Sequence, residues 1–174
     1  GQSSLTALAA GVQEAEAALA EYEKGIAATK TNLGELSRLR GELDQAAAAF
    51  VNQLGAYTAY QDKALTEELR TGTPVAKLEE RRIKVVMAGE IEQIGNTIRI
   101  GNYKAQALRE PALIEKVLPQ FAVIQAKTKE LVAITRQEQN LRQLEQVQAA
   151  AAAYENGMKE VARLFAEYDA IAKQ

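Results

Sequence analysis

The chain has 174 residues, no cysteine, no histidine and a formal net charge of -2 at pH 7. The lack of cysteine and histidine excludes a disulfide framework, zinc sites of the usual kind, and Ser-His or Cys-His catalysis. Lysine and arginine are interspersed with aspartate and glutamate and form no basic face, which argues against a nucleic-acid partner. We therefore expect a protein that is not an enzyme and has no metal site and no cofactor.

The composition is typical of an almost wholly α-helical protein. Alanine, leucine, glutamate, glutamine and lysine dominate, tryptophan is absent and only 3 prolines occur. These common residues lose little rotamer freedom in helices. No apolar run approaches the roughly 20 residues that span a bilayer. The sequence predicts a single all-α domain over residues 1–174.

The first predicted element is one very long helix over residues 4–71. Its seam residues recur at alternating spacings of three and four, which is one unbroken heptad register. Glycines occur at positions 25, 34 and 41, where a bend is conceivable, but the preserved register favours continuity and a length of about 100 Å. The seam consists of Leu5, Leu8, Val12, Ala15, Leu19, Tyr22, Ile26, Thr29, Leu33, Leu36, Arg40, Leu43, Ala47, Phe50, Leu54, Tyr57, Gln61 and Ala64.

Three further helices are predicted after the turn at Gly72 and Pro74, which suits a helix end followed by a new start. They cover residues 75–109, 111–138 and 140–173. Pro111 separates the first two, Pro119 should kink the second, and a weak break is placed near Asn140, although the last two pieces could be one helix. The predicted fold is an elongated antiparallel bundle of the four-helix type.

The helix over 75–109 carries two stripes. Ile91, Ile94 and Ile98 have the spacing of a core face. The second stripe becomes polar where a core helix should stay apolar, and we expect it to face the bundle interior as a ligand site. It consists of Leu78, Arg82, Val85, Gly89, Glu92, Asn96, Arg99 and Tyr103.

Arg99 is the main candidate in this stripe, since a guanidinium near the core can bind a carboxylate ligand bidentately. The alternative is that Arg99 pairs with Glu92 or another carboxylate, or extends to solvent.

Antiparallel folding through the turn places residue i opposite roughly residue 146 − i, so the end of the first helix faces the start of the second. Tyrosines at heptad spacing are, alternatively, core residues, and a glutamine on the seam fixes register. The complete set of candidate ligand-binding residues is Arg99, Asn96, Tyr103, Arg82, Arg81, Glu92, Tyr57, Tyr60 and Gln61.

Three stretches resemble a known family: IGNTIRIGNYKAQALREP at 94–111, LRQLEQVQAAAAAYENGMKEVARLF at 141–165 and AAAFVNQLGAYTAYQDK at 47–63. They are similar to the extracytoplasmic sensor domains of bacterial methyl-accepting chemotaxis proteins, including the helical bimodular type. The resemblance implies the periplasmic domain of an inner-membrane receptor, flanked by two membrane spans outside this sequence. It also implies a homodimer that binds a small organic or amino acid between helices, with Arg99 and Arg81 or Arg82 holding carboxylates.

Two functions are compatible with these patterns. The first is a sensor domain that converts ligand binding into a helix shift across the membrane. The second is a structural or adaptor coiled coil, such as a periplasmic lipoprotein or scaffold, without a small-molecule ligand. The heptads fit both, whereas the polar stripe favours the sensor. Because the first helix is much longer than the others, part of it must pack against a partner subunit or a longer last helix.

Overall fold

The computed structural model describes residues 2–173, with side chains from residue 5 onward. Every regular element in this range is an α-helix, so the predicted all-α class is confirmed. The helices are α1 Gln2–Arg70, α2 Val75–Leu108, α3 Pro111–Val117, α4 Gln120–Ile134 and α5 Glu138–Ile171. Together α3 and α4 form one crossing of the bundle, so the chain crosses it four times.

Helix α1 is continuous over 69 residues, which corresponds to about 100 Å at 1.5 Å per residue. The three glycines at positions 25, 34 and 41 lie inside it without interrupting it. From Leu36 to Tyr57 the predicted seam is buried, and Arg40 is its one exposed position. The expected long N-terminal helix is therefore confirmed, and its seam forms one wall of the core.

Helices α1 and α2 form the expected antiparallel hairpin. Gly72 adopts a left-handed φ of 71° in the turn between them, a conformation that glycine reaches without steric cost. Arg40 Nε donates a hydrogen bond to Gln106 Oε1 over 2.9 Å. This contact agrees with the predicted register of the hairpin, in which residue i faces roughly residue 146 − i and residue 40 therefore faces residue 106.

Two of the later helix boundaries lie at prolines, as predicted. The third lies at a turn whose position was predicted incorrectly. Arg109 ends α2 in the left-handed region at φ 56°, directly before the Glu110–Pro111 step that a helix cannot easily cross. The predicted kink at Pro119 is confirmed as the break between α3 and α4. The break expected near Asn140 lies instead at residues 135–137, because Thr135 and Gln137 both adopt extended backbone conformations.

Helix α5 runs antiparallel along α1. Asn32 Nδ2 donates to the carbonyl oxygen of Leu164 over 3.0 Å. Farther along the pair, a Cβ built on Gly157 would lie 2.8 Å from Leu43 Cδ2. Since Ile171 ends α5 beside Ile26 and Leu33, the N-terminal part of α1 extends past the end of the bundle.

The apolar seam continues along this extension, and among the described residues only the end of α5 lies beside it, at Tyr22, Ile26 and Leu33. Its large side chains are 49–67% exposed, although they have the same heptad spacing as the buried seam farther along α1. We call this stretch the free seam. It consists of Leu5, Leu8, Val12, Leu19, Tyr22, Ile26 and Leu33.

Close packing at Gly95 leads to a test of the core. A Cβ on Gly95 would lie 2.7 Å from Phe50 Cε1, whereas a Cβ on Gly89 meets nothing within 4 Å. We expect Gly95→Ala to lower the free energy of unfolding, because overpacking costs about 1–3 kcal/mol and helix propensity returns only about 1 kcal/mol. Gly89→Ala should raise it by up to about 1 kcal/mol. Urea unfolding followed by circular dichroism measures both, and equal stabilisation by the two substitutions would contradict this packing.

Candidate functional site

A polar pocket lies at the end of the bundle where α1 turns into α2 and α4 turns into α5. Its volume is about 240 Å³. Nearly all of its wall is polar or charged, in contrast to the apolar core beside it. The lining residues are Gln61, Glu68, Lys77, Glu80, Arg81, Lys84, Thr135, Arg136, Gln137 and Asn140.

Arg81 organises the side of the pocket formed by α1 and α2. Its Nη1 donates to Gln61 Oε1 over 2.5 Å. Its Nε and Nη2 donate to the two carboxylate oxygens of Glu68 over 3.2 Å and 2.7 Å. The two side chains of this ion pair are only 18% and 23% exposed, so the bidentate pair is partly shielded from solvent. It fixes Arg81 across the hairpin, where α1 supplies both partners.

Lys84 is the second cation in the wall. It is 5% exposed although it is a lysine, because it occupies the core-facing stripe of α2. Its Nζ lies 2.6 Å from Glu80 Oε1, and Glu80 is half exposed. The ion pair compensates a cation that would be costly to bury without a partner.

The acidic residues of the pocket are held in their charged form. The hydrogen bond from Arg81 is the main cause that lowers the pKa of Glu68, against a smaller opposing effect of burial. The hydrogen bond and charge of Lys84 lower the pKa of Glu80, and Arg136 adds to this effect. Four cations and two carboxylates therefore line the pocket at neutral pH, a net charge of +2.

The turn between α4 and α5 forms the opposite wall. The α5 helix begins at Glu138, and its N-cap residue Gln137 makes no side-chain capping hydrogen bond. A helix N-terminus presents unpaired N–H groups and the positive end of the helix dipole. The positive potential of the cations is thus reinforced by backbone groups, as in known anion sites.

Two buried amides in the wall keep an unpaired polar atom. Gln61 is 0% and Asn140 1% exposed, and neither Gln61 Nε2 nor Asn140 Oδ1 has a hydrogen-bond partner among the described residues. Leaving such a group unpaired costs about 1–3 kcal/mol. Both atoms are buried beneath the pocket surface, so this layer of the bundle carries unpaired polar groups as well as charge.

Tyr57 connects the pocket to the core. Its ring is fully buried, and its hydroxyl lies 3.2 Å from Thr135 Oγ1 in the turn between α4 and α5. Burial raises the pKa of Tyr57 above its ordinary value of 10.0, so the hydroxyl remains neutral. This contact ties α1 to the pocket's opposite wall one layer below Gln61.

The structure brings only some of the predicted site residues together. Gln61 and Arg81 line the pocket and Tyr57 lies directly beneath it. Tyr60 is half-buried and lies within electrostatic range of Arg81. Arg82 is exposed to solvent and is not part of the lining.

The expectation that the polar stripe of α2 faces the interior is wrong. Glu92, Asn96 and Tyr103 are exposed, and Arg99 is half-buried. One residue turns a helix by about 100°, so a stripe one position beyond the core face points largely to solvent. The buried face of α2 consists of Lys84, Ala88, Ile91, Gly95, Ile98, Asn102 and Ala105.

Arg99 does not reach a ligand-sized cavity in this structure. Its Nη1 donates to Asn96 Oδ1 over 3.3 Å, and its Nε has no partner among the described residues. The void beside it, between Phe50 and Tyr154, measures about 20 Å³. That volume holds about one water molecule, so a carboxylate ligand does not fit there.

The sequence prediction missed eight of the ten lining residues, namely Glu68, Lys77, Glu80, Lys84, Thr135, Arg136, Gln137 and Asn140. Lys84 lies on the isoleucine stripe of α2, and a lysine at a core position was a detectable signal. Thr135 and Arg136 could not be assigned to the site, because the break was predicted near Asn140 and these two residues were placed inside the preceding helix, whereas the break lies at 135–137.

Comparison of the chain with protein-family models, with curated protein sequences and with solved structures gives no match. The resemblance to chemoreceptor sensor domains therefore stays a prediction from the stretches of sequence given above. Within residues 2–173, no helix is both long and apolar enough to cross a bilayer. In the same range, no group of three carboxylates is arranged to hold a metal ion.

The ion pair of Glu68 predicts a pH dependence of stability. A carboxyl whose pKa is lowered on folding contributes stability above its ordinary pKa, near 4.5, and loses it as the pH falls through the lower folded value. We expect Glu68→Gln to lower the free energy of unfolding by up to about 1 kcal/mol at about pH 7 and by much less at about pH 3. Urea unfolding at the two pH values measures this.

Glu79→Gln, at an exposed glutamate in α2 two residues before Arg81, is the matched control. Its effect should differ little between the two pH values. An equal loss of stability for Glu68→Gln at both pH values would show that the pair with Arg81 does not form.

Proposed function

We propose that this chain is the ligand-binding sensor domain of an extracytoplasmic receptor, and that it binds a small organic or amino acid in the pocket between α1, α2 and α5. The observation that carries the proposal is a polar, net cationic pocket at one end of a bundle whose core is mainly apolar. Such a pocket reduces bundle stability relative to an apolar layer. A scaffold needs no such layer, whereas a receptor for an anion does.

The size and chemistry of the pocket fit a small ligand. Its volume of about 240 Å³ is well above the roughly 10–15 Å³ that holds one water molecule, so it has room for a small organic molecule. Cationic groups and a helix N-terminus attract a carboxylate. Recognition of this kind depends on charge and hydrogen bonds more than on apolar area.

The location of the pocket supports a signalling role. It joins the hairpin end of α1 and α2 to the start of α5, and α1 and α5 then run side by side toward the other end of the bundle. A ligand that changes how α5 begins would shift it against α1, and shifts of about 1–2 Å are known in helical switches. Together with the resemblance at 94–111 and 141–165, this favours the periplasmic domain of an inner-membrane receptor with membrane spans outside this sequence.

The first test is a thermal-shift screen of the purified chain against small carboxylates and amino acids. A ligand at about 100 times its dissociation constant adds roughly 2.7 kcal/mol to stability, which raises Tm by several degrees. We expect a carboxylate to give this shift and Lys84→Met to reduce it strongly. Lys104→Met, at an exposed lysine far along α2, should leave it unchanged.

A comparison with Arg99→Ala separates the two possible locations of the ligand. If the shift persists in Arg99→Ala and falls in Lys84→Met, the ligand binds in the pocket at the turn. The opposite result would place it beside Arg99 and contradict the proposed site. No shift with any carboxylate or amino acid would contradict the sensor function.

The free seam supports the homodimer that the resemblance implies. It carries the same heptad that packs against α5 from Leu36 onward, and it extends for four heptads from Leu5. Apolar side chains at this spacing are buried best by a second helix of the same heptad pattern. A second copy of the chain supplies one, and its α1 is long enough to cover the whole free seam.

We expect the chain to elute as a dimer, at twice the chain mass of 18.9 kDa, in size-exclusion chromatography with light scattering. Leu19→Glu places a charge in the middle of the free seam and should give a monomer. Leu69→Glu, at a leucine of α1 that is equally exposed but lies outside the seam, is the control and should remain a dimer. A monomeric wild-type chain at about 100 µM would overturn the dimer.

The free seam also favours the second candidate function, a structural or adaptor coiled coil without a ligand. A long exposed heptad is a surface for assembly with other helices. This function predicts self-association without any response to carboxylates, so the thermal-shift screen distinguishes the two.

A further inference from the structure

Two buried amides on neighbouring helices carry complementary unpaired atoms. Gln61 Nε2 is a hydrogen-bond donor and Asn140 Oδ1 is an acceptor, and neither has a partner among the described residues. Gln61 belongs to α1 and Asn140 to α5, and these two helices pack side by side. Both atoms lie beneath the pocket surface, so a partner for either one has to come from the protein itself.

The orientation of the Gln61 amide is fixed by Arg81. Arg81 Nη1 donates to Gln61 Oε1 over 2.5 Å, and a guanidinium has no acceptor. Turning the amide around would bring two donors together, so Nε2 has to point away from Arg81. Arg81 is held in turn by its two hydrogen bonds to Glu68. The unpaired donor is therefore a fixed feature of α1 at this level.

The start of α5 is restrained less than its later part. Over residues 138–153, no side chain of α5 forms a hydrogen bond or an ion pair with another helix in the described part of the chain. The first such bond is the one that the Tyr154 hydroxyl accepts from Asn102 Nδ2. Three non-helical residues at 135–137 precede the helix. Apolar packing alone therefore holds the start of α5 against α1.

We infer that the bundle has a second packed state, in which Gln61 Nε2 donates a hydrogen bond to Asn140 Oδ1 and the start of α5 lies closer to α1. The present structure is the open state, because the two atoms are unpaired in it. Forming the bond removes two buried unpaired groups, each of which destabilises the open state. Since both amides belong to the wall of the pocket, their direct contact narrows it. This inference goes beyond the proposed function, because the two states exist without a ligand.

Two features of the pocket oppose closure. The Tyr57 hydroxyl lies 3.2 Å from Thr135 Oγ1, and this oxygen also donates to the carbonyl oxygen of Leu131 over 2.7 Å, which holds the turn before α5 in place. Four cations and two carboxylates line the pocket, so narrowing it brings like charges together. Pairing of the amides favours the closed state and these features favour the open one, and such a balance gives two populated conformations.

A double-mutant cycle tests the pair, with unfolding of the whole chain followed in urea. Gln61→Met and Asn140→Leu each remove one amide and keep a side chain of similar size. If the amides bond in the second state, each single substitution leaves the other amide without a partner, whereas the double substitution removes both groups. We expect the folding equilibrium constant of the double variant to be at least about fivefold larger than the two single effects predict together.

Gln143 provides the matched control. It is a half-buried amide one turn farther along α5 with an unpaired Oε1, but it does not line the pocket. The effects of Gln61→Met and Gln143→Met should combine within about twofold of additivity. Additive effects for Gln61 and Asn140 would overturn the inference. Equal coupling in both cycles would overturn it as well, since a general change in packing would then explain both.

Nitrogen relaxation dispersion of the backbone amides tests for the second state itself, because it detects exchange between conformations on the microsecond-to-millisecond timescale. We expect exchange in the first turns of α5 in the wild-type chain. Gln61→Glu keeps an oxygen for Arg81 but has no donor for Asn140, so it should abolish this exchange. Gln53→Glu, at a half-buried glutamine of α1, should retain it.

A wild-type chain without exchange at the start of α5 would overturn the second state, and so would unchanged exchange in Gln61→Glu. Circular dichroism checks that each variant remains helical. Neither experiment uses a ligand, so a negative result leaves the proposed function to be decided by the thermal-shift screen.

Discussion

The register of the α1 seam is the constraint on which the rest of the fold depends. The seam keeps one heptad phase from Leu5 to Ala64, so a single face of one helix receives both α2 and α5. The pairing of α2 follows from that phase and a short turn at Gly72. The pairing of α5 follows from small residues such as Gly157, which let it approach α1 closely. Nothing in α1 breaks this phase, and the helix is continuous over 69 residues.

Polar residues enter the core at defined layers. In the middle of the bundle, Asn102 Nδ2 donates to the Tyr154 hydroxyl over 2.9 Å, and Asn102 Oδ1 accepts from Gln106. This layer is closed, because its groups satisfy one another across α2 and α5. Such closed layers fix register, as buried polar residues do in coiled coils.

The polar layer at Gln61, near the turns, differs because its polar groups do not all pair with one another. Its amides retain unpaired atoms, and its cations outnumber its carboxylates. The backbone turns on both sides leave space that a continuing bundle would fill. A binding site is therefore compatible with the fold at this end, where fewer apolar layers are disturbed.

Sequence patterns were sufficient to predict the elements that depend on local periodicity. The continuous α1, the antiparallel hairpin and the kink at Pro119 all follow from heptads and from the chemistry of proline and glycine. The orientation of α2 did not follow, because Gly95 and Asn102 interrupt its apolar stripe and make the neighbouring stripe look equally plausible. The predicted buried face was therefore shifted by one residue, about 100° around the helix axis. This shift placed Glu92, Asn96 and Tyr103 in the interior, although they are exposed.

Only the part of the pocket that is formed by the α1–α2 hairpin could be predicted from the sequence. Gln61 and Arg81 are brought together by the pairing of two consecutive helices, which the sequence determines. Arg136 and Asn140 reach the same pocket through the packing of α5 on α1, and no local pattern specifies that contact. Lys84 is intermediate, because a lysine among isoleucines signals a polar layer before any contact is known.

The helices that meet at the pocket differ in how they can move. Helix α1 passes through this level without a break and continues about 84 Å from Gln61 to Leu5, at 1.5 Å per residue. Helix α5 begins beside the pocket, after three non-helical residues at 135–137. A helix that is continuous through the level of the pocket resists displacement there. A helix that begins at the pocket can slide or turn about the non-helical segment that precedes it. Motion that starts at this end is therefore carried by α5, with α1 as the rigid reference against which it is measured.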